Sequence, residues 1–216
     1  MPPDLVLFDC DGVLVDTERI QVAVEARTLT ALGWPMGAEE VVERWMGRTG
    51  SVQLAEIGER LGEDVARRYD ELTTAEIHAA FEAELTEIDG IGRLLDTLTA
   101  ACVPTCVASS GSHERIERTL GITGLHDHFA GRIFSALEVE HGKPAPDLFL
   151  HAAEKMDVVP ARCVVIEDSP YGVEAGVAAG MRVLGYGGGL ATEEVLSQSG
   201  AEVFGHMSEV PGLLEL

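Results

Sequence analysis

The sequence predicts an α/β protein: a doubly wound parallel sheet of the Rossmann type, with a helical domain inserted directly after the first strand. Three observations predict it. Short apolar runs stop abruptly on polar or acidic residues after Phe8, Ala108 and Ile166. From residue 91 onward such runs alternate with stretches whose apolar residues recur at helical spacing, the pattern of helices crossing between parallel strands. Residues 17–88, by contrast, carry helical patterning throughout.

The elements follow in order. Leu5-Val6-Leu7-Phe8 is continuously apolar, as a fully buried strand is, and it ends on Asp9-Cys10-Asp11-Gly12. Residues i and i+2 of a strand share a face, so Asp9 and Asp11 are expected to project together, with Cys10 turned away. Paired carboxylates repel unless a cation lies between them or one keeps its proton. Asp and Gly also serve in plain turns, so the later strand ends decide the matter. A helix is predicted over 17–32, ending at Gly33-Trp34-Pro35, then helices over 38–46, 51–61 and 63–85 and a hinge at Ile88–Gly92. Beyond it come a helix over 91–101, a strand over 104–108 and a helix from His113. A short strand over 132–134, a helix over 147–156, a strand over 163–166, a helix over 171–179 and a strand over 182–184 complete the series. The predicted organisation is a core of residues 1–16 and 89–216 and a helical cap of residues 17–88, over the sheet edge where such folds bind ligands.

Composition narrows the function. The 216 residues are 46% hydrophobic and 24% charged, as in ordinary soluble proteins. The apolar run before Asp9 is too short for a signal or membrane segment, so a cytoplasmic location is expected. Fifteen basic against 37 acidic residues leave a net charge of −22, which argues against nucleic acid or an anionic membrane as partner. The chain is expected to be a monomer or weak dimer. An anionic substrate requires local positive charge, yet Lys143 and Lys155 are the only lysines. The four cysteines lack CxxC spacing and are expected to be buried free thiols.

Three later segments carry chemistry. Val107-Ala108-Ser109-Ser110-Gly111-Ser112 ends a strand and opens a helix, placing hydroxyls and amides where an anion binds. Lys143 is fixed between Gly142 and Pro144. Val164-Val165-Ile166-Glu167-Asp168-Ser169-Pro170 is a second strand ending in carboxylates, on the same sheet edge as Asp9, with Pro170 suited to a first helical turn. Asp9, Asp11 and Asp168 offer the hard oxygens that Mg²⁺ prefers.

Taken in order, Asp9-x-Asp11-Gly12-Val13, Ser109, Lys143 before Pro144-Ala145-Pro146-Asp147, and Glu167-Asp168 resemble the four motifs of the haloacid dehalogenase-like (HAD) hydrolases. The insertion after the first motif is similar to that superfamily's first, helical cap class. The resemblance implies a small phosphorylated metabolite as partner, Asp9 as the nucleophile forming an aspartyl-phosphate and Asp11 as general acid and base. It implies Ser109, with Ser110 and Gly111, as holders of the phosphoryl oxygens and Lys143 as the neutralising cation. It also implies Mg²⁺ on the Asp9 carboxylate, the Asp11 backbone carbonyl and Asp168, with Glu167 a ligand or directly behind the ligands.

Within the superfamily, Asp11 argues against a dehalogenase, and the lack of lysine in residues 17–88 argues against a Schiff-base phosphonate hydrolase. The core resembles β-phosphoglucomutase and its neighbouring sugar-phosphate phosphatases, and Phe81–Gly90 resembles a 6-phosphogluconate phosphatase-like branch. Gln21 stands where the mutase carries a cap histidine, and the mutase's cap lysine is missing. Hydrolysis is therefore expected over phosphomutation. A protein that only binds phospho-ligands is the least favoured reading, because nucleophile, lysine and metal aspartate are all present. Gln21, Arg48 and Thr49 are the candidate cap contacts, Arg48 as a carboxylate or phosphate clamp. His113, His126 and His128 are expected to be structural.

Overall fold

The computed structural model describes residues 1–45 and 50–216. They form two compact units, Thr17–Leu85 and Met1–Asp16 with Thr86–Leu216.

The smaller unit is helical: α1 (Thr17–Ala31), α2 (Ala38–Trp45), α3 (Gly50–Leu61) and α4 (Glu63–Glu84). Helices α1 and α3 both pack on α4. Their shared core contains Leu29, Trp34, Trp45, Ile57, Ala66 and Tyr69. Trp34 meets Trp45 edge-on at 5.7 Å, and the Arg60 guanidinium lies 4.3 Å over the Trp34 ring, a cation–π contact that leaves the charge near water.

The larger unit is built on a parallel sheet of β1 (Leu5–Phe8), β2 (Thr105–Ser109), β3 (Ile133–Ser135), β4 (Cys163–Glu167), β5 (Arg182–Tyr186) and β6 (Glu202–Phe204), in the order β3-β2-β1-β4-β5-β6. Leu7 pairs with Cys106 of β2 and with Val165 of β4. Every residue of β1, β2 and β4 is buried. Both faces of the sheet are covered, which is why these strands read as unbroken apolar runs rather than alternating ones.

Around the sheet lie α5 (Ile91–Ala100), α6 (His113–Ile122), α7 (Asp147–Lys155), α8 (Pro170–Ala178), α9 (Glu193–Gln198) and α10 (Val210–Leu213). Leu5, Leu7, Cys106, Ala108 and Val165 share one core with Leu148, Phe149 and Ala152 of α7 and Val173 of α8. Phe8, alternating to the other face, meets Phe129 at 6.0 Å. The predicted doubly wound α/β architecture is the observed one.

Two differences from the sequence reading stand out. The chain continues past the strand at 182–184 into α9, β6 and α10. β6 is a three-residue strand of mixed exposure, too short to leave a periodic signal. Cys102 corrects the expectation of buried cysteines. It is exposed in the turn after α5 with φ 56, whereas Cys10, Cys106 and Cys163 are buried, and all four are free. Its neighbour Val103 is the residue this turn gives to the core. Among the described residues, no helix is long and apolar enough to cross a membrane.

Candidate active site

All six strands run in one direction, so their carboxyl ends share one edge. The strand order reverses between β1 and β4, leaving a crevice beyond their ends. Asp9 follows β1 and Asp168 follows β4, while Ser109 ends β2 and Glu167 ends β4. The Asp9 N–H donates to the Ile166 carbonyl at 3.0 Å, so the backbone of Asp9 is still held between the two strands. The chain then turns tightly: the Gly12 N–H donates to the Val15 carbonyl at 2.9 Å, with Gly12 at φ +78.

Lys143 is the electrostatic centre. Its Nζ donates to Asp9 Oδ1 at 2.5 Å and to Glu167 Oε1 at 2.7 Å, and it sits 5.0 Å over the Phe149 ring of α7. The Lys143 side chain is 5% exposed and that of Glu167 1%. Glu167 Oε2 accepts from the Ser169 N–H at 2.8 Å and from its hydroxyl at 2.9 Å. Ser169 also caps α8 by accepting from the Gly172 N–H. Glu167 is thus fixed by the start of α8 and in turn fixes Lys143.

Burial pushes the Asp9 carboxyl up to about 7, against the pull of Lys143 and with help from the Glu167 and Asp11 charges. Burial alone would lower the Lys143 ammonium, but Asp9 and Glu167 more than reverse it and hold it above its ordinary value. The cation that relieves repulsion at Asp9 therefore joins it to Glu167. Asp11 has a different cation: Arg115 Nη2 donates to Asp11 Oδ1 at 3.1 Å. Cys10 is turned away, 1% exposed, with Sγ 3.8 Å from Thr119 Oγ1.

The loop after β2 is held from both sides. The Gly111 N–H donates to Ser109 Oγ at 3.2 Å, and the Ser135 hydroxyl donates to the Gly111 carbonyl at 2.6 Å. Ser109 is buried and Ser110 exposed. Ser112 then caps α6. His113 does begin α6, its Nε2 3.0 Å from Glu138 Oε1. His126 and His128 lie on the 3-10 turn His126–Phe129.

Of the cap candidates, Arg48 and Thr49 lie outside the described residues, and Gln21 belongs to the smaller unit. There Gln21 Nε2 donates to Glu25 Oε1 at 3.1 Å. Gln53 Nε2 reaches Glu25 Oε2 and Tyr69 Oη, each at 3.0 Å. With Asp70 and Thr73 these residues line a polar pocket of about 170 Å³ within the helical unit. Sequence reasoning missed Glu25, Gln53 and Tyr69, which come from three helices and share no motif. It also missed Arg115, whose one sequence cue is an arginine in the first turn of the helix that follows Ser109.

Residues 3–180 match the family model described as haloacid dehalogenase-like hydrolase. The chain belongs to the haloacid dehalogenase-like hydrolases. It is 32% identical over 215 residues to the 6-phosphogluconate phosphatase of Escherichia coli (strain K12), covering 97% of this chain and 94% of that protein. A haloacid dehalogenase-like protein from Agrobacterium tumefaciens superposes with a TM-score of 0.88 at 36% identity, covering 98% of this chain and 97% of that one. A HAD family hydrolase from Deinococcus radiodurans, solved with bound phosphate and sodium, gives 0.87 at 32% identity over 99% and 96% of the two chains.

The donor set of this HAD core fits Mg²⁺. Asp168 is 4% exposed, and its carboxylate lies so close to the Asp9–Gly12 turn that a Cβ on Gly12 would stand 2.0 Å from its Oδ2. Gly189 crowds the same carboxylate, with a Cβ there standing 2.9 Å from Oδ2. Glycine at both positions keeps room around this oxygen. Among the described residues there is no cluster of three His, Cys, Asp or Glu side chains placed to hold a metal. Mg²⁺ does not need one, since it binds through one or two carboxylates and completes its octahedron with waters and substrate oxygens.

Proposed function

We propose that this HAD hydrolase is a Mg²⁺-dependent phosphatase of small phosphate monoesters, sugar or sugar-acid phosphates, working through an aspartyl-phosphate on Asp9. The observation that carries the reading is the buried bridge of Lys143 to Asp9 and Glu167 at the ends of β1 and β4. A carboxylate can attack a phosphate dianion only where positive charge is already in place, and this bridge supplies it in a chain of net charge −22.

Ionised Asp9 attacks phosphorus and the bond to the ester oxygen breaks, with Asp11 delivering a proton to the departing alcohol. Asp11 then accepts a proton from water as that water attacks phosphorus, the bond to Asp9 breaks, and phosphate leaves. The Ser109 hydroxyl and the amides around Ser110 and Gly111 donate to the phosphoryl oxygens. Lys143 neutralises charge on Asp9 and on the group in transfer, and Glu167 keeps it there. The Asp9 and Asp168 carboxylates and the Asp11 backbone carbonyl would hold Mg²⁺. When bound, Mg²⁺ supplies further positive charge at the phosphoryl oxygens.

In this reading the smaller unit is the cap and reads the leaving group. The amide, hydroxyl and carboxylate groups of Gln21, Glu25, Gln53, Tyr69 and Thr73 suit a hydroxyl-rich alcohol. The similarity to 6-phosphogluconate phosphatase supports the same class.

Phosphate release from a panel of sugar, sugar-acid and glycolate phosphates tests the proposal. Release is expected with Mg²⁺, and its loss with excess chelator or on Asp9→Asn. Turnover unchanged by Asp9→Asn would remove the covalent mechanism. No release from any ester, with conversion of β-glucose 1-phosphate to glucose 6-phosphate, would replace hydrolysis by phosphomutation.

A further inference from the structure

We infer that Arg115 is a positioning residue that holds the Asp11 carboxylate for proton transfer to the leaving oxygen; this rests on the reading of Asp11 as general acid and base. Arg115 lies in the first turn of α6. Its backbone N–H donates to the capping Ser112 hydroxyl at 3.3 Å, so the start of its side chain is fixed by the cap. Its Nη2 reaches Asp11 Oδ1 at 3.1 Å, with the two side chains 40% and 26% exposed. The aliphatic part runs beside the phosphoryl loop, Arg115 Cδ standing 3.6 Å from where a Cβ of Gly111 would be.

One turn further along α6, Thr119 lies against Cys10, the residue between the two aspartates. Positions i and i+4 share one helix face, so this face of α6 is applied to the Asp9–Asp11 turn. The helix that opens from the Ser109–Ser112 loop is thereby tied through Arg115 to the proton-transfer carboxylate. Each aspartate of the pair has its own cation: Lys143 for Asp9, Arg115 for Asp11. A charge-assisted hydrogen bond sets the rotation of a carboxylate more firmly than a neutral one. Proton transfer is sensitive to such orientation, since misplacement by about 1 Å can cost on the order of 100-fold.

Leaving groups test this. A nitrophenolate departs without a proton, whereas an alkoxide needs one from Asp11. Steady-state kcat/KM is measured for p-nitrophenyl phosphate and for glycerol phosphate, in wild type, Arg115→Met, Arg115→Lys and Asp11→Asn, with folding checked by circular dichroism. Arg115→Met is expected to lose about tenfold more on the alkyl ester than on the nitrophenyl ester, within the roughly 10²–10⁴-fold that general acid catalysis supplies. Arg115→Lys, which keeps a donor and the charge, falls between Met and wild type. Asp11→Asn discriminates in the same direction and more strongly. Equal losses on the two esters in both Arg115 variants, with Asp11→Asn still discriminating, overturn the role of Arg115 alone. An Asp11→Asn that does not discriminate overturns the assignment of Asp11 and this inference with it. If Arg115→Met does not fold, the Lys variant carries the comparison.

Discussion

Two carboxylates, Asp9 and Glu167, share the ammonium of Lys143 in a nearly dry site, and removing that ammonium leaves both without it. Breaking a buried ion pair from one side costs about 3–5 kcal/mol. Lys143→Met is therefore expected to lower the melting temperature clearly and to abolish turnover. The sign of the pH dependence follows from Asp9. Burial already raises Asp9 and Lys143 opposes that rise. Without Lys143, Asp9 therefore holds its proton to still higher pH than in the unfolded chain, the folded state binds more protons, and stability falls as pH rises. The stability deficit of Lys143→Met should shrink toward acid; a deficit that grows toward acid would contradict the bridge. The cysteines give a second check. Cys102 is exposed while the other three are buried, so one thiol of four should react promptly with a thiol reagent in the native protein. Burial pushes Cys163 up to about 11 from its usual 9.0. Between those values the unfolded chain loses its thiol proton first, so this group lowers stability as pH rises through that alkaline window.

At the scale of elements, the strands and the starts of helices place the chemistry. β4 ends on Glu167, and the same Ser169 that caps α8 holds that carboxylate. Gly172 makes this packing possible: a Cβ there would lie 1.7 Å from Glu167 Oε1 and 1.9 Å from its Cδ. Gly172→Ala must displace either Glu167 or the first turn of α8. Overpacking of this kind costs about 1–3 kcal/mol, and activity should fall with stability because Lys143 loses its support. Gly121→Ala in α6 is the control, since nothing stands within 4 Å of its added methyl; a helix gains up to about 1 kcal/mol from that change. Equal effects from the two substitutions would mean that the Glu167–α8 contact does not matter. The elements most legible in the sequence, β1, β2 and β4, are those buried on both faces, where unbroken apolar character is unavoidable. β6 and the helices around it were not legible, because a three-residue strand carries no period.

At the scale of the whole molecule, charge sets how substrate arrives. A protein of net charge −22 repels a phosphate ester at long range, and in the proposed reading local cations, Lys143 first among them, attract it at short range. Salt screens the long-range part, over about 10 Å at 0.1 M, far more than buried contacts. With Mg²⁺ saturating, kcat/KM should therefore rise with ionic strength, the reverse of an electrostatically steered enzyme. A fall would show that a local positive funnel dominates the approach.

The sequence by itself determined the strands that end on acids and the helical character of the segment that follows β1, and it offered Asp9, Asp11, Ser109, Lys143, Glu167 and Asp168 as a set of candidates. Each is a pattern within a short stretch of chain: an apolar run, a helical period, a turn residue after a strand. Only the tertiary structure decided which charge answers which. Lys143 meets Asp9 across 134 positions and Arg115 meets Asp11 across 104. Those pairings exist because the sheet order sets β1 between β2 and β4, bringing the start of α6 and the Lys143 loop to one edge. Sheet order arises from non-local pairing and packing, and no local pattern encodes it.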